Sequence, residues 1–207
     1  MSNSTPKRRL FRKGPTFSRR GLDEKLETIL SGLDAGRVLD LGSKRAPYRR
    51  WIRAERFETL DILPDGEPDV VGDAHRLPLR AGVYDTVIAT QVLEHCHTPQ
   101  QVVDEIHRVL RPGGSLVVSV PFVYVIHADP HDYWRFTEYA LRHILREFAD
   151  VEVQAWGNRA TIIWDMISAR PSFLKYLNGL LSPLLKPSRV NRHCPQGYIV
   201  VARKADE

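Results

Sequence analysis

The sequence predicts an α/β fold built on a doubly wound, mostly parallel sheet of seven strands. Three observations lead there. Short runs rich in Val, Ile and Leu recur along the chain and alternate with segments of helical periodicity. Several of these runs end in a glycine, a proline or a carboxylate. The 207 residues suit one domain. A chain of that length buries roughly 70% of its unfolded surface and needs no disulfide staples.

In chain order, residues 1–20 are rich in Ser, Arg, Pro and Lys without a period, and are expected to be a mobile arm. A helix follows over 21–32, with Leu22, Leu26, Ile29 and Leu30 on one face. Arg37 to Leu41 is a buried strand closed by Gly42. Residues 47–56 are expected to be helical, with Pro47 in the first turn, where its missing N–H costs nothing. Strands follow at Phe57–Ile62, Asp69–Val71 and Tyr84–Ala89. Thr98-Pro-Gln-Gln101 then opens a helix, with Thr98 as N-cap, Pro99 at N1 and Gln101 at N3. Its apolar face is Val102, Val103, Ile106, Val109 and Leu110, and Gly113-Gly114 is expected to stop it. Ser115–Val120 is a strand cut by Pro121. Thr137 caps a helix with Ala140, Leu141, Ile144, Leu145 and Phe148 inward. Val151–Ala155 and Tyr198–Ala202 complete the seven strands.

Composition narrows the function classes. Cys96 and Cys194 form no CxxC pair, which argues against a disulfide framework and a cysteine zinc site. No apolar run approaches the ~18 residues of a membrane span. The basic N-terminus is not followed by an apolar signal core, so the default compartment is the cytoplasm. The net charge of +5 hides a division. Residues 1–20 and an amphipathic insertion at 157–196 take 13 of the 30 basic and 1 of the 25 acidic residues, leaving 17 against 24 in the remainder. An acidic body with two basic attachments is weak support for a nucleic-acid-binding fold.

In a doubly wound sheet the ligand crevice lies past the carboxyl ends of the strands. Asp40, Asp61 and Asp73 stand at three consecutive strand ends, and Thr90-Gln91 follows the fourth strand. One such carboxylate is usually a turn or cap residue; three in series are harder to dismiss. Asp61 lies 19 residues past Gly42, about the spacing at which an acid takes ribose hydroxyls in dinucleotide folds. The pattern by itself points to an adenosine-containing ligand, NAD or another.

The run VLDLGSKRAPYRRW, then TLDI, then GDAHRLPLRAGVYDTVIATQVLEHCHTPQQVVDEIHRVLRPGGSLVVSVP resembles the class I S-adenosylmethionine-dependent methyltransferases. It is most similar to their type-11, ubiquinone-biosynthesis-like group, over about residues 36–156 and again at GYIVVARK. The resemblance implies a Rossmann-like sheet with an antiparallel last strand, methyl transfer and S-adenosylmethionine as cofactor. It places Asp40 and Gly42 against the cofactor's amino-acid end, Asp61 with the neighbouring Ile62 at the ribose, Asp73 and Ala74 beside the adenine, and Thr90 and Gln91 near the sulfonium. The glycine loop departs from the family pattern: Lys44 replaces its middle glycine and Ala46 its last. A positive φ at Lys44 would cost on the order of 1–2 kcal/mol. The alternative is an ammonium paired with the cofactor carboxylate.

The stretch from Pro121 to Thr137 follows the fifth strand and holds His127, Asp129, His131, Asp132 and Arg135 among aromatics. His127 and His131 are candidate general bases, with Asp129 or Asp132 orienting an imidazole. The competing reading makes Asp132 and Arg135 a loop-fixing ion pair. A zinc site of His127, His131 and Asp132 lacks a third clear ligand pair, so no metal is expected. His95, in the LEH run, is expected to cap or pack. The phrase HDYWRFT recurs in family members linked with glycan or cell-surface biosynthesis, so the expected acceptor is a small molecule or glycan, lipid-linked sugars included. The insertion is expected to be a helical lid over the acceptor; the alternative is a peripheral contact with anionic membrane, aided by the basic arm. An NAD oxidoreductase would need the absent GxGxxG. A nucleic-acid methyltransferase has only the basic arm in its favour. A non-catalytic scaffold on the cofactor fold remains the other alternative.

Overall fold

The computed structural model describes residues 16–43, 45–169, 181, 184–185 and 190–206. Their strands form one sheet: β1 (Arg37–Leu41), β2 (Arg56–Asp61), β3 (Val70–Val71), β4 (Tyr84–Thr90), β5 (Leu110–Pro121), β6 (Asp150–Trp156) and β7 (Gly197–Arg203). The order is β3-β2-β1-β4-β5-β7-β6. The first five strands in that order pair in parallel, and β7 runs antiparallel to both β5 and β6. The expected α/β class, with seven strands and an antiparallel last one, is what the chain forms. Strand order reverses between β1 and β4, which makes their carboxyl ends the switch point where such sheets bind ligands.

Side-chain alternation explains the two covered faces. On β4, Val87 and Ala89 join one buried cluster and Ile88 the other. The first cluster takes the apolar faces of α2 (Pro99–Val109) and α3 (Glu138–Ile144). The second takes Leu22, Leu26 and Leu30 of α1 (Phe17–Ser31) together with Tyr48, Ile52 and Trp156. The chain also forms α4 (Arg159–Ala169), within the predicted insertion.

Four local expectations are corrected. The helix expected at 21–32 starts at Phe17, so residues 17–20 belong to it and not to an arm. Thr16 caps it by accepting a hydrogen bond from the Arg19 N–H, and Phe17 is fully buried. The helix expected at 47–56 shrinks to a 3₁₀ turn at Arg49–Trp51, because Glu55 N–H already donates to Gly36 and the chain must straighten into β2. Thr98 takes the N-cap position of α2 with Pro99 in the first turn, as expected, but its side chain makes no capping bond: its hydroxyl pairs with His97 Nδ1 (2.8 Å), and Gln101 turns to the His75 carbonyl (2.9 Å). Gly113-Gly114 does not stop α2, which ends at Val109. The chain enters β5 at Leu110, and Gly113, at φ +71°, lies on the irregular start of that strand. By contrast, Thr137 caps α3 as expected, accepting from the Ala140 N–H.

The first 15 residues of the arm, Lys44 and most of the stretch from Arg170 to Lys186 lie outside the described residues. The lid, membrane-contact and Lys44 expectations therefore fall there too. Among the described residues no helix is long and apolar enough to cross a membrane.

Candidate functional site

The ends of β1 and β4 open into a cavity of about 500 Å³. Gly42, Ser43, Thr90 and Gln91 form its floor, Tyr48 and Arg45 one side, and His95, Tyr124 and His127 the other. Thr16, Ser18, Arg19 and Leu22 of α1 cover it. That cover is pinned from far along the chain. Asp165 on α4 accepts the backbone N–H groups of Phe17 (3.1 Å) and Ser18 (2.7 Å), and Gln196 donates to the same carboxylate (2.9 Å). A carboxylate at a helix N-terminus satisfies orphan N–H groups and meets the positive end of the helix dipole.

The backbone at the floor is special. Gly42 has φ +63°, and a Cβ there would lie 2.7 Å from Val92 Cγ2. Gln91 and Ala46 hold left-handed φ values of +55° and +45°. Ala46 thus adopts the backbone that a glycine would take more freely, at a cost on the order of 1 kcal/mol. Beside Gly42, Asp40 is fully buried, and neither of its oxygens finds a hydrogen-bond partner among the described residues. Burial, with the neighbouring Asp61 charge adding, pushes its carboxyl up to about 8. The buried Ser43 hydroxyl is likewise unpartnered among the described residues.

Asp61 ends β2 and accepts from the Leu63 N–H (3.0 Å), while Ile62 beside it is 64% exposed. Asp73 accepts from the His75 backbone (2.9 Å) and from His75 Nδ1 (2.7 Å), contacts that hold its carboxyl below the usual range. His75 in turn stacks on His97 at 4.0 Å between ring centroids. Ala74 packs against the core. Of the eight residues expected at the cofactor, Gly42, Thr90 and Gln91 line the cavity. Asp40, Asp61, Ile62, Asp73 and Ala74 continue the series along the ends of β1, β2 and β3 outside it.

The three expected catalytic residues part company. His127 lines the cavity, with Nδ1 3.3 Å from Asp132 Oδ2. Desolvation lowers its pKa below the ordinary imidazole value, against the opposing pull of Asp132. Asp132 does not line the cavity. Arg135 grips it through two hydrogen bonds of 2.7 and 2.8 Å and holds its carboxyl down at about 2, while its Oδ2 accepts the His127 N–H (2.9 Å). The loop-fixing ion pair thus also anchors the His127 backbone, while His127 Nδ1 makes no hydrogen bond among the described residues. His131 is the correction: its ring is exposed and turned to the Tyr133 hydroxyl (3.0 Å), away from the cavity.

Glu94 carries no expectation from the sequence and His95 only that of capping or packing, yet both stand in the 3₁₀ turn Leu93–His95 after β4, beside the cavity. His95 Nδ1 lies 2.6 Å from the His131 carbonyl oxygen. A carbonyl only accepts, so Nδ1 is the donor in this contact. His95 and His127 meet edge to face at 4.8 Å. Glu94 is fully buried, and its oxygens have no hydrogen-bond partner among the described residues. Burial pushes its carboxyl up to about 8. The available signal was an acid between two buried apolar residues, Leu93 and Cys96, directly past a strand end.

Residues 44–118 match the family model described as "Methyltransferase domain". A protein of Mycolicibacterium smegmatis, named as an S-adenosylmethionine-dependent methyltransferase, is 46% identical over 87 residues, covering 42% of this chain and 30% of its own length. The chain spans about a quarter of the length of other curated relatives it matches. Among solved structures, a methyltransferase of Thermotoga maritima superposes with a TM-score of 0.61 at 14% identity, covering 91% of each chain. The [4+2]-cyclase SpnF superposes with a TM-score of 0.58 at 21% identity, over 92% of this chain and 81% of its own. At these identities the structural matches establish the fold.

Proposed function

We propose that this chain, whose residues 44–118 match a methyltransferase-domain family model, transfers a methyl group from S-adenosylmethionine to a small-molecule acceptor in the cavity under α1. The observation that carries this reading is the buried Asp40 carboxylate without a hydrogen-bond partner among the described residues, next to the left-handed Gly42 at the switch point. A buried acid in that state calls for a donor or a cation. The ammonium of a methionine moiety is such a group, so the residues present fit the cofactor.

In this reading Asp40, Gly42 and Ser43 hold the amino-acid end, and Asp61 takes the ribose hydroxyls. Exposed Ile62 gives the adenine an apolar face beside Asp73 and Ala74, and Thr90 and Gln91 border the sulfonium. When bound, the cofactor supplies a methyl group already attached to a good leaving group. The chain's task is then to align a nucleophile in line with that bond and to exclude water. The α1 cover, fastened by Asp165, supports the second part. His95 and His127 support the first: both line the cavity, and Asp132, gripped by Arg135, holds the His127 backbone N–H. The HDYWRFT run above this wall makes glycans and lipid-linked sugars the first acceptors to screen.

SpnF carries a similar fold, so binding is tested before turnover. Calorimetric titration of the full chain with S-adenosylhomocysteine should show micromolar binding. Asp61→Ala should weaken it roughly ten- to a hundredfold, the equivalent of a lost charge-assisted hydrogen bond of about 1.5–3 kcal/mol. A folded, monodisperse wild type that binds none would overturn the reading.

A further inference from the structure

The geometry points to a divalent transition-metal site formed by Glu94, His95 and His127 in the wall of the cavity, with open coordination positions for the acceptor's oxygen. The inference rests on the methyl-transfer reading and narrows its acceptor to one carrying a hydroxyl or enol.

One ligand atom from each of the three residues lies within 4.8 Å of the other two, and His95 Nε2 is 4.0 Å from Glu94 Oε1. Atoms bound to one ion at about 2.1 Å in tetrahedral geometry stand ~3.4 Å apart, so the set must close by up to about 1.4 Å, and the Glu94–His95 pair by roughly 0.6 Å, to seat the ion. Two histidines and one carboxylate form a donor set suited to Zn²⁺, Mn²⁺, Fe²⁺ or Co²⁺ and leave positions open for water or substrate.

The surroundings are those of a ligand set. Metal-bound histidines commonly direct their second nitrogen at a carbonyl or carboxylate, which fixes the tautomer and the ring. His95 Nδ1 does so with the His131 carbonyl; His127 Nδ1 lies 3.3 Å from Asp132 Oδ2 without completing a hydrogen bond among the described residues. Asp132 is itself clamped by Arg135. The turn carrying Glu94 is tied to the segment carrying His127, since Tyr133 and Trp134 donate backbone N–H groups to the Glu94 carbonyl (2.8 and 3.2 Å). Trp134 Nε1 adds a bond to the Cys96 carbonyl (2.8 Å). Above all, Glu94 is a fully buried carboxyl whose two oxygens meet no hydrogen-bond donor among the described residues. A group left like that behind two cavity-lining histidines is expensive unless something binds it.

A hydroxyl bound to such an ion loses its proton to solvent water more readily, because the cation stabilises the oxyanion. The oxygen lone pair then forms the new C–O bond as the C–S bond breaks, and that electron pair stays on sulfur in a neutral thioether. Methyl, charge and proton are all accounted for.

The test uses the full chain, treated with chelator and then titrated with Co²⁺, followed by visible absorption and by metal content after gel filtration. Wild type should retain about one equivalent with d–d bands. Glu94→Gln and His127→Gln should each lose at least tenfold in affinity, the lower end of the effect known for the outer partners of metal ligands. Glu94→Gln is nearly isosteric and removes a buried acid, so it should melt no lower than wild type, and its loss of cobalt would then not reflect unfolding. His97→Gln, in the stacked pair outside this set, should bind as wild type does. A folded wild type that retains no cobalt would overturn the site. So would cobalt binding that survives His127→Gln and disappears with His97→Gln. Parallel titration with S-adenosylhomocysteine separates the two claims: cofactor binding without cobalt refutes the metal site alone, and cobalt without cofactor refutes the methyltransferase reading.

Discussion

Replacing Asp40 by Asn should stabilise the protein and cost it its ligand. In the folded chain burial lifts the Asp40 carboxyl to about 8, whereas an unfolded aspartate titrates near ~4. Between those pH values the native state keeps a proton that the unfolded state has released, so wild-type stability falls as pH rises from ~4 toward ~8. Four units at ~1.4 kcal/mol each bound the penalty at about 5 kcal/mol. Asparagine has nearly the same shape and no charge to desolvate. The variant should therefore match wild type near pH 4 and exceed it increasingly up to pH 8. In a chain of this length ~1 kcal/mol moves Tm by about 2–4 °C, so the gap at pH 8 should be on the order of 10 °C. Thermal melts from pH 4.5 to 8.5 read the difference, and calorimetry with S-adenosylhomocysteine reads the accompanying loss of affinity. No gain at pH 8 would mean that Asp40 is ionised and already partnered in the folded chain, and the argument from its burial would fail. A stabilised variant that binds the ligand as tightly as wild type would remove Asp40 from the site.

Two further perturbations address the floor and the cover of the cavity. Gly42→Ala places a methyl at φ +63° and 2.7 Å from Val92 Cγ2, which should cost about 1–2 kcal/mol for the backbone and ~1–3 for overpacking. A second change, Val92→Ala, should recover the packing part in a melt and leave the backbone part. An unchanged Tm for Gly42→Ala would show that the left-handed turn is not needed. Asp165→Ala removes the acceptor for the Phe17 and Ser18 N–H groups, a loss of about 1.5–3 kcal/mol. Protection of the α1 amides against hydrogen exchange should drop more than that of β4. Equal loss in both would mean that Asp165 supports the whole fold and not the cover in particular.

Much of the architecture is local in origin and therefore readable along the chain. The period of two in β4 and the spacing of Val102, Val103, Ile106 and Val109 reflect geometry within single elements, so pattern alone places them. Asp40, Asp61 and Asp73 are legible as strand-end residues because parallel βα units present every such end on one edge. The Thr137 cap is legible because its partner is three residues away. Thr98 looks equally convincing, yet its capping bond fails, because His97 captures its hydroxyl and the His75 carbonyl captures Gln101. The segment at 47–56 has the composition of a helix, yet Gly36 and the approach to β2 permit only one turn.

What the sequence determined by itself is the class of fold, the sheet edge that carries the candidate site and the family likeness of the central segment, since each depends on short-range spacing. Tertiary structure alone decided which polar groups share one volume. It turned His131 outward, brought His95 and Glu94 against His127 from 32 or 33 positions away, and set Asp165 under a helix that begins 148 residues earlier. Those meetings depend on strand order and on hydrogen bonds between distant segments, and no local pattern in the chain encodes either.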